Sequence, residues 1–175
     1  MPIWDIIVRT IGAHQGNVGG KGIYTMFVAL TRRGSGCASS RAIYWTNNFT
    51  GTIGRPNRKG TGINQNFITG AQNLIAVTLH GDYIYWTNVG AGGLGNAPIG
   101  RARLDGRDVD QNFITAGGPA RVAVEGKHIY WTNDGESGAL GGGQSIGRAN
   151  LDGTDVDQSF ITGASGPVGV AVEGS

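Results

Sequence analysis

The densest polar chemistry in the chain lies in two acidic sets. Asp105, Asp108 and Asp110 recur as Asp152, Asp155 and Asp157 with the same internal spacing. Carboxylates this close could share a calcium ion. Their order does not follow an EF-hand loop. Each set also contains an Asp-Gly pair, Asp105-Gly106 or Asp152-Gly153, and such a pair marks a tight hairpin turn. A turn is therefore the favoured reading, and no metal site is expected. Gly90-Ala91-Gly92-Gly93-Leu94-Gly95 fits a dinucleotide fingerprint. That chemistry needs a helix N-terminus behind the loop. Pro98 and a strand-like run follow instead, so no cofactor is expected. His14, His80 and His128 could supply a general base. His80 and His128 fall near similar turns, but no third histidine aligns with them. Cys37 is the one cysteine. It allows no internal disulfide and no cysteine-built zinc site. A catalytic thiol would need a histidine and an orienting partner, to which nothing points. No catalytic residue is assigned.

Trp45, Trp86 and Trp131 are the last set with chemical potential. Exposed indoles could stack on sugars. Each, however, sits in a copy of one motif, Ile-Tyr-Trp-Thr-Asn, starting at residues 43, 84 and 129. A residue needed once per repeat is more economically read as structural packing with one donor to satisfy. Asn47, Asn88 and Asn133 end the three copies. Their short side chains can accept backbone hydrogen bonds and hold a turn.

The elements that position these residues repeat as well. Spacings of 41 and 45 residues suggest one supersecondary unit per repeat. Alternating β-branched and aromatic residues make Ile-Tyr-Trp-Thr-Asn a strand. Ile53-Gly54-Arg55, Ile99-Gly100-Arg101 and Ile146-Gly147-Arg148 follow. Then come Phe67-Ile68-Thr69, Phe113-Ile114-Thr115 and Phe160-Ile161-Thr162, and then a Val-Ala-Val type of run ending in glycine at Gly81, Gly126 and Gly174. Four strand signals per unit predict an all-β fold, a β-propeller of four-stranded antiparallel blades. Three to four blades fit in this chain, or six if two chains combine. We label the strands of a unit A (Val-Ala-Val type), B (Ile-Tyr-Trp-Thr-Asn), C (Ile-Gly-Arg) and D (Phe-Ile-Thr). Blades are expected to begin near Tyr24, Leu74 and Ala120, with a fourth strand A at Val168–Val172. Strand D is expected to be the shortest. Pro56 in the first unit removes a ladder donor, so that blade should be looser, or its strand C should start later. Lys59-Gly60 stands where the other units have Asp-Gly.

The chain reads as a single domain over 1–175. Repeats cover 41–83, 84–128 and 129–175, and 1–40 is irregular. Within 1–40, Ile3–Val8 and Ile23–Leu30 read as strands around a glycine-rich loop, with a helix as the rival over 23–33. The B–C connections vary most: Asn48–Thr52, Val89–Pro98 and Asp134–Ser145. Variable loops on a fixed scaffold are where binding concentrates. Candidate binding residues are therefore Phe49, Val89, Leu94, Asn96, Asp134, Glu136 and Leu140. Asn48-Phe49-Thr50 is also an N-glycosylation sequon.

Composition narrows the partners. The chain has 175 residues, 33 of them glycine, which suits many tight turns. Only 15% are charged and the formal net charge is +2, against about 25% charged in an average domain. No basic run stands out, so nucleic acid is not an expected partner. No apolar span reaches membrane-crossing length. The first ten residues do not read as a signal peptide.

Taken with their flanks, the motifs resemble the YWTD repeat of low-density lipoprotein receptor-type β-propellers. The match is best over 129–174, good over 84–128 and weaker over 41–83. Asparagine stands where that family has aspartate. The resemblance implies six blades, protein binding outside the cell and no shared catalytic residues. The expected function is a non-enzymatic binding or scaffold module with a protein partner or a second copy of itself. The alternatives are a propeller lyase resembling the virginiamycin B lyase type and a carbohydrate-binding propeller. Closure is open: Ile3–Val8 could complete a four-blade ring within the chain, or pair with Val168–Val172 of a second chain in a six-blade ring. The second is the preferred expectation.

Overall fold

A computed structural model describes residues 43–57, 61–88, 97–133 and 144–173. Among these, eleven strands form three antiparallel sheets and no helix occurs. The first sheet holds β1 (Trp45–Asn47), β2 (Thr52–Pro56) and β3 (Ile63–Ile68). The second holds β4 (Val77–His80), β5 (Tyr83–Thr87), β6 (Ala97–Arg103) and β7 (Asp110–Ala116). The third holds β8 (Pro119–Glu125), β9 (His128–Asn133), β10 (Ser145–Asn150) and β11 (Asp157–Thr162). In each sheet neighbours in sequence are neighbours in space. The sheets are successive blade-like meanders, and the fold is β-propeller-like.

The motif tryptophan sets the shape of each blade. In the second sheet Trp86 lies directly across from Gly100, and in the third Trp131 lies across from Gly147. A Cβ on Gly54, Gly100 or Gly147 would land on the indole of Trp45, Trp86 or Trp131. Glycine is thus the residue that lets the indole lie flat on its own sheet. The motif tyrosine, one position earlier, points to the opposite face. Tyr44, Ile53 and Ile68 of the first sheet form one core with Leu74, Val77, Leu79, Ile84, Trp86 and Ala102. Tyr85, Ile99 and Ile114 form the next with Val122, Val124, Ile129, Trp131 and Ala149. Trp86 and Trp131 therefore face the sheet before them, and Tyr44 and Tyr85 the sheet after them. Trp86 and Trp131 are fully buried. Trp45 is half-buried.

Several sequence expectations change. Strand D is not the shortest. Between Ile99↔Ile114 and Arg101↔Asp110 the outer strand spends two more residues than its partner, and the same shift recurs in the other sheets. That bulge starts strand D earlier, at Ile63, Asp110 and Asp157. Pro56 does not delay strand C. It pairs with Ile63 and ends the strand, where β6 and β10 run further. The Asp-Gly pair is not a two-residue hairpin. Gly106 N–H donates to the Arg103 carbonyl, and the chain returns through Asp108 at φ 53°. Gly153 and Asp155 repeat this. The glycine has a second reason to lack a side chain, because the Phe67 or Phe113 ring of the preceding sheet packs against it. Pro98 belongs to β6, paired with Thr115, and not to the loop.

Val168–Val172 is not a strand: residues 163–173 carry no ladder partner. Backbone becomes a strand only when another strand satisfies its donors and acceptors. The readings of Ile3–Val8, Ile23–Leu30, Tyr24 as a blade start, Lys59-Gly60, His14 and Cys37 lie outside the described residues.

Trp131→Ala should lower the unfolding free energy by about 3–5 kcal/mol, as for large aromatic truncations in a core. Trp86→Ala should behave alike. Denaturant melts showing less than about 1 kcal/mol for both would contradict this packing.

Candidate functional site

The repeated polar side chains meet at the seams between sheets. Gln111 sits in the β6–β7 bulge. Its Oε1 accepts from Trp86 Nε1 (3.2 Å), and its Nε2 donates to the Thr69 carbonyl of the preceding sheet (2.8 Å). Gln158 likewise donates to the Thr115 carbonyl (2.7 Å). Gln65 Oε1 accepts from Trp45 Nε1 (2.9 Å). The third sheet differs in one bond. Gly117 N–H donates to Gln158 Oε1, whereas its counterpart Ala71 N–H donates to the Gly51 carbonyl. Trp131 Nε1 is left buried without an acceptor.

Arginine links forward. Arg55 stacks on Phe67 (4.0 Å to the ring centre) and donates to the Leu104 carbonyl of the next sheet (3.1 Å). Arg101 stacks on Phe113 (3.7 Å) and donates to the Leu151 carbonyl (3.1 Å). Tyr44 OH donates to the same Leu104 carbonyl (3.0 Å). Thr87 Oγ1 accepts from Ala76 N–H and donates to the Ala120 carbonyl of the third sheet. Burial, partly offset by the Arg101 charge, holds the Tyr85 hydroxyl above the usual tyrosine range.

The asparagines share a donor role that aspartate could not fill, and Asn88 Oδ1 also accepts from Gln72 N–H (3.3 Å). Asn47, Asn88 and Asn133 each donate Nδ2 to the backbone carbonyl of the bulge glutamine, Gln65, Gln111 or Gln158, at 3.1, 3.2 and 2.8 Å. Asn133 Nδ2 also reaches Ser145 Oγ (3.0 Å). A carboxylate has no proton to offer here. This accounts for asparagine at the position in all three repeats. It also clamps the root of each B–C loop to strand D.

The acidic sets are turn formers. Asp105, Asp110, Asp152 and Asp157 each accept from the backbone N–H two residues on. Asp108 pairs with Arg103 (2.6 Å), and Asp155 accepts from Asn150 (2.6 Å). Hydrogen bonds from the Thr154 hydroxyl and N–H hold the exposed Asp152 carboxyl below its usual range. Among the described residues no cluster of three metal-ligating side chains occurs. His80 pairs with Tyr83 at the end of β4, while His128 opens β9 opposite Glu125. The two histidines therefore hold different positions in their turns. Burial removes Trp86 and Trp131 as sugar platforms. Asn48 Nδ2 donates to the Leu74 carbonyl (2.9 Å), so the sequon amide already holds a structural bond.

Of the candidate binding residues, Phe49 is well exposed on the first B–C loop. Val89, Leu94, Asn96, Asp134, Glu136 and Leu140 lie outside the described residues. The stems of their loops do not. Asn88 and Ala97 bound one, and Asn133 and Gln144 the other. Both leave from the end of strand B on adjacent sheets. The A–B and C–D turns occupy the opposite edge, joined by Leu104 N–H to Asp82 carbonyl and Leu151 N–H to Lys127 carbonyl. Sequence reasoning missed the glutamines Gln65, Gln111 and Gln158. Their recurrence two residues before the phenylalanine of each Phe-Ile-Thr run was the available signal.

No helix among the described residues is long and apolar enough to cross a membrane. No family model matches the chain, and no curated protein matches it. One similar solved structure is the crystal structure of a nidogen/laminin complex. It is 18% identical with a TM-score of 0.48, and the match covers 62% of this chain and 40% of that one. The match thus spans about two fifths of the length of that neighbour. The propeller-like description rests on the sheets themselves.

Asn133→Asp should destabilise the fold by about 1–3 kcal/mol, the cost of a buried polar group without its partner. Asn133→Ala should cost no more than the aspartate. Thermal melts in which aspartate matches asparagine would contradict the donor assignment.

Proposed function

We propose that the chain is a non-enzymatic interaction module whose B–C loops bind a protein partner. The observation that carries this reading is the equivalence of the loop roots. Asn88 and Asn133 anchor two loops of unequal length to the same strand position on neighbouring sheets. Their amide Nδ2 groups are engaged by strand D carbonyls and so hold the scaffold. Rigid stems with freely varying loops suit recognition by the loops. Phe49 extends the same edge onto the first sheet. In this reading Val89, Leu94 and Asn96 contribute from the second loop, and Asp134, Glu136 and Leu140 from the third. One domain over 1–175 would present them together. The setting is outside the cell if the resemblance to low-density lipoprotein receptor-type propellers extends to location.

The test uses the full chain as bait in extract of the source cells, with bound proteins quantified by mass spectrometry. Deleting Gly138–Gly143 should leave the melting midpoint unchanged and remove a specific partner. Loss of folding without a binding-specific change, or retention of every bound protein, would contradict the reading.

A further inference from the structure

Among the described residues two seams use one set of contacts, and the backward face of the first sheet and the forward face of the third carry the two halves of another. On the forward side, Ile68 and Ile114 are 2% and 1% exposed, but their counterpart Ile161 is 51% exposed. Phe160 is exposed where Phe67 and Phe113 are covered by the next sheet. Tyr130 and Ile146 are half-buried where Tyr44, Tyr85, Ile53 and Ile99 are fully buried. Arg148 stacks on Phe160 (4.0 Å) just as Arg55 and Arg101 stack on their phenylalanines. On the backward side, Ile43 is 47% exposed where Ile84 and Ile129 are 0%. Trp45 and Pro56 are half-buried where Trp86, Trp131, Ala102 and Ala149 are sealed.

We infer that the forward face of the third sheet docks on the backward face of the first sheet in a second copy of this chain. The occupant follows from continuity with the seams inside the chain. What covers Tyr44, Ile53, Ile68 and Phe67 is an Ile-Trp-Ala face, and Ile43, Trp45 and Pro56 are this chain's unsealed version of it. A directional polar pair supports the same match. Each bulge glutamine donates to the carbonyl of the threonine ending the preceding Phe-Ile-Thr strand, Gln111 to Thr69 and Gln158 to Thr115. Gln65 is the glutamine at the backward end, and Thr162 is the threonine at the forward end. Head-to-tail contact of two copies is heterologous at each seam and closes on itself by two-fold rotation. Three described sheets per copy then give six, within the four to eight blades usual for propellers. This assembly uses the sheet faces, so it stands or falls separately from the loop-binding reading.

Sedimentation velocity of the full chain at micromolar concentration should give twice the 18.2 kDa chain mass. Ile161→Lys should give monomer with an unchanged far-ultraviolet circular dichroism spectrum, since the side chain is exposed in the single chain. Gln65→Ala should weaken association about tenfold, one charge-free hydrogen bond at about 1.4 kcal/mol per decade. Ile63→Lys should leave the dimer intact, because the equivalent Val109 is exposed even on the sandwiched second sheet. A wild-type monomer would overturn the assembly. So would an Ile161→Lys dimer, or equal loss of association in Ile63→Lys.

Discussion

Everything regular in this molecule depends on an indole lying flat on a glycine. Trp86 and Gly100 are direct cross-strand partners, as are Trp131 and Gly147. A flat indole keeps the sheet face low enough for the preceding sheet to close over it. The same pair explains why Ile-Gly-Arg follows Ile-Tyr-Trp-Thr-Asn in each repeat. None of Gly54, Gly100 and Gly147 has a positive φ, so their requirement is space and not backbone freedom. Gly106 and Gly153 need both, since their φ values are 90° and 88° and a phenylalanine ring packs on each.

On that packing rests a directional polar code. Arg55, Arg101 and Tyr44 reach forward to the C–D turn of the next sheet, and Gln111 and Gln158 reach back to the end of the previous strand D. Each bond crosses a seam between neighbouring sheets. Backbone carbonyls are the acceptors, so the code needs no buried ion pair and avoids the desolvation cost such a pair brings. The carboxylates stay at the turns, exposed, where Asp105 and Asp152 hold local backbone. The two faces of each described sheet are therefore unlike. That polarity permits head-to-tail association, and the stems of the second and third B–C loops leave from the same strand end on adjacent sheets.

Much of this was legible because it repeats. Strand identity, the antiparallel order and the boundaries near Leu74 and Ala120 follow from periods of 41 and 45 residues and from alternation within Ile-Tyr-Trp-Thr-Asn. What escaped was not periodic in hydrophobicity. The bulge adds two residues to strand D through polar positions such as Gln111 and Asn112, which no alternation rule counts. The donor role of Asn47, Asn88 and Asn133 depends on which backbone group faces the amide, and that is a property of the fold. Val168–Val172 has the composition of strand A but no partner ladder, and composition cannot supply one. The candidate site was legible only as loop length. Phe49 is on the surface, and the other six residues fall outside the described part of the chain.

Tryptophan and glycine act as one unit, and a double-mutant cycle on Trp86 and Gly100 measures that directly. In the native background Gly100→Ala should cost about 1–3 kcal/mol through overpacking against the indole. In the Trp86→Ala background the same change should cost nothing measurable, because the clashing ring is gone. Equal costs in the two backgrounds, that is additivity within about 0.5 kcal/mol, would show that the glycine serves some other purpose and contradict the account.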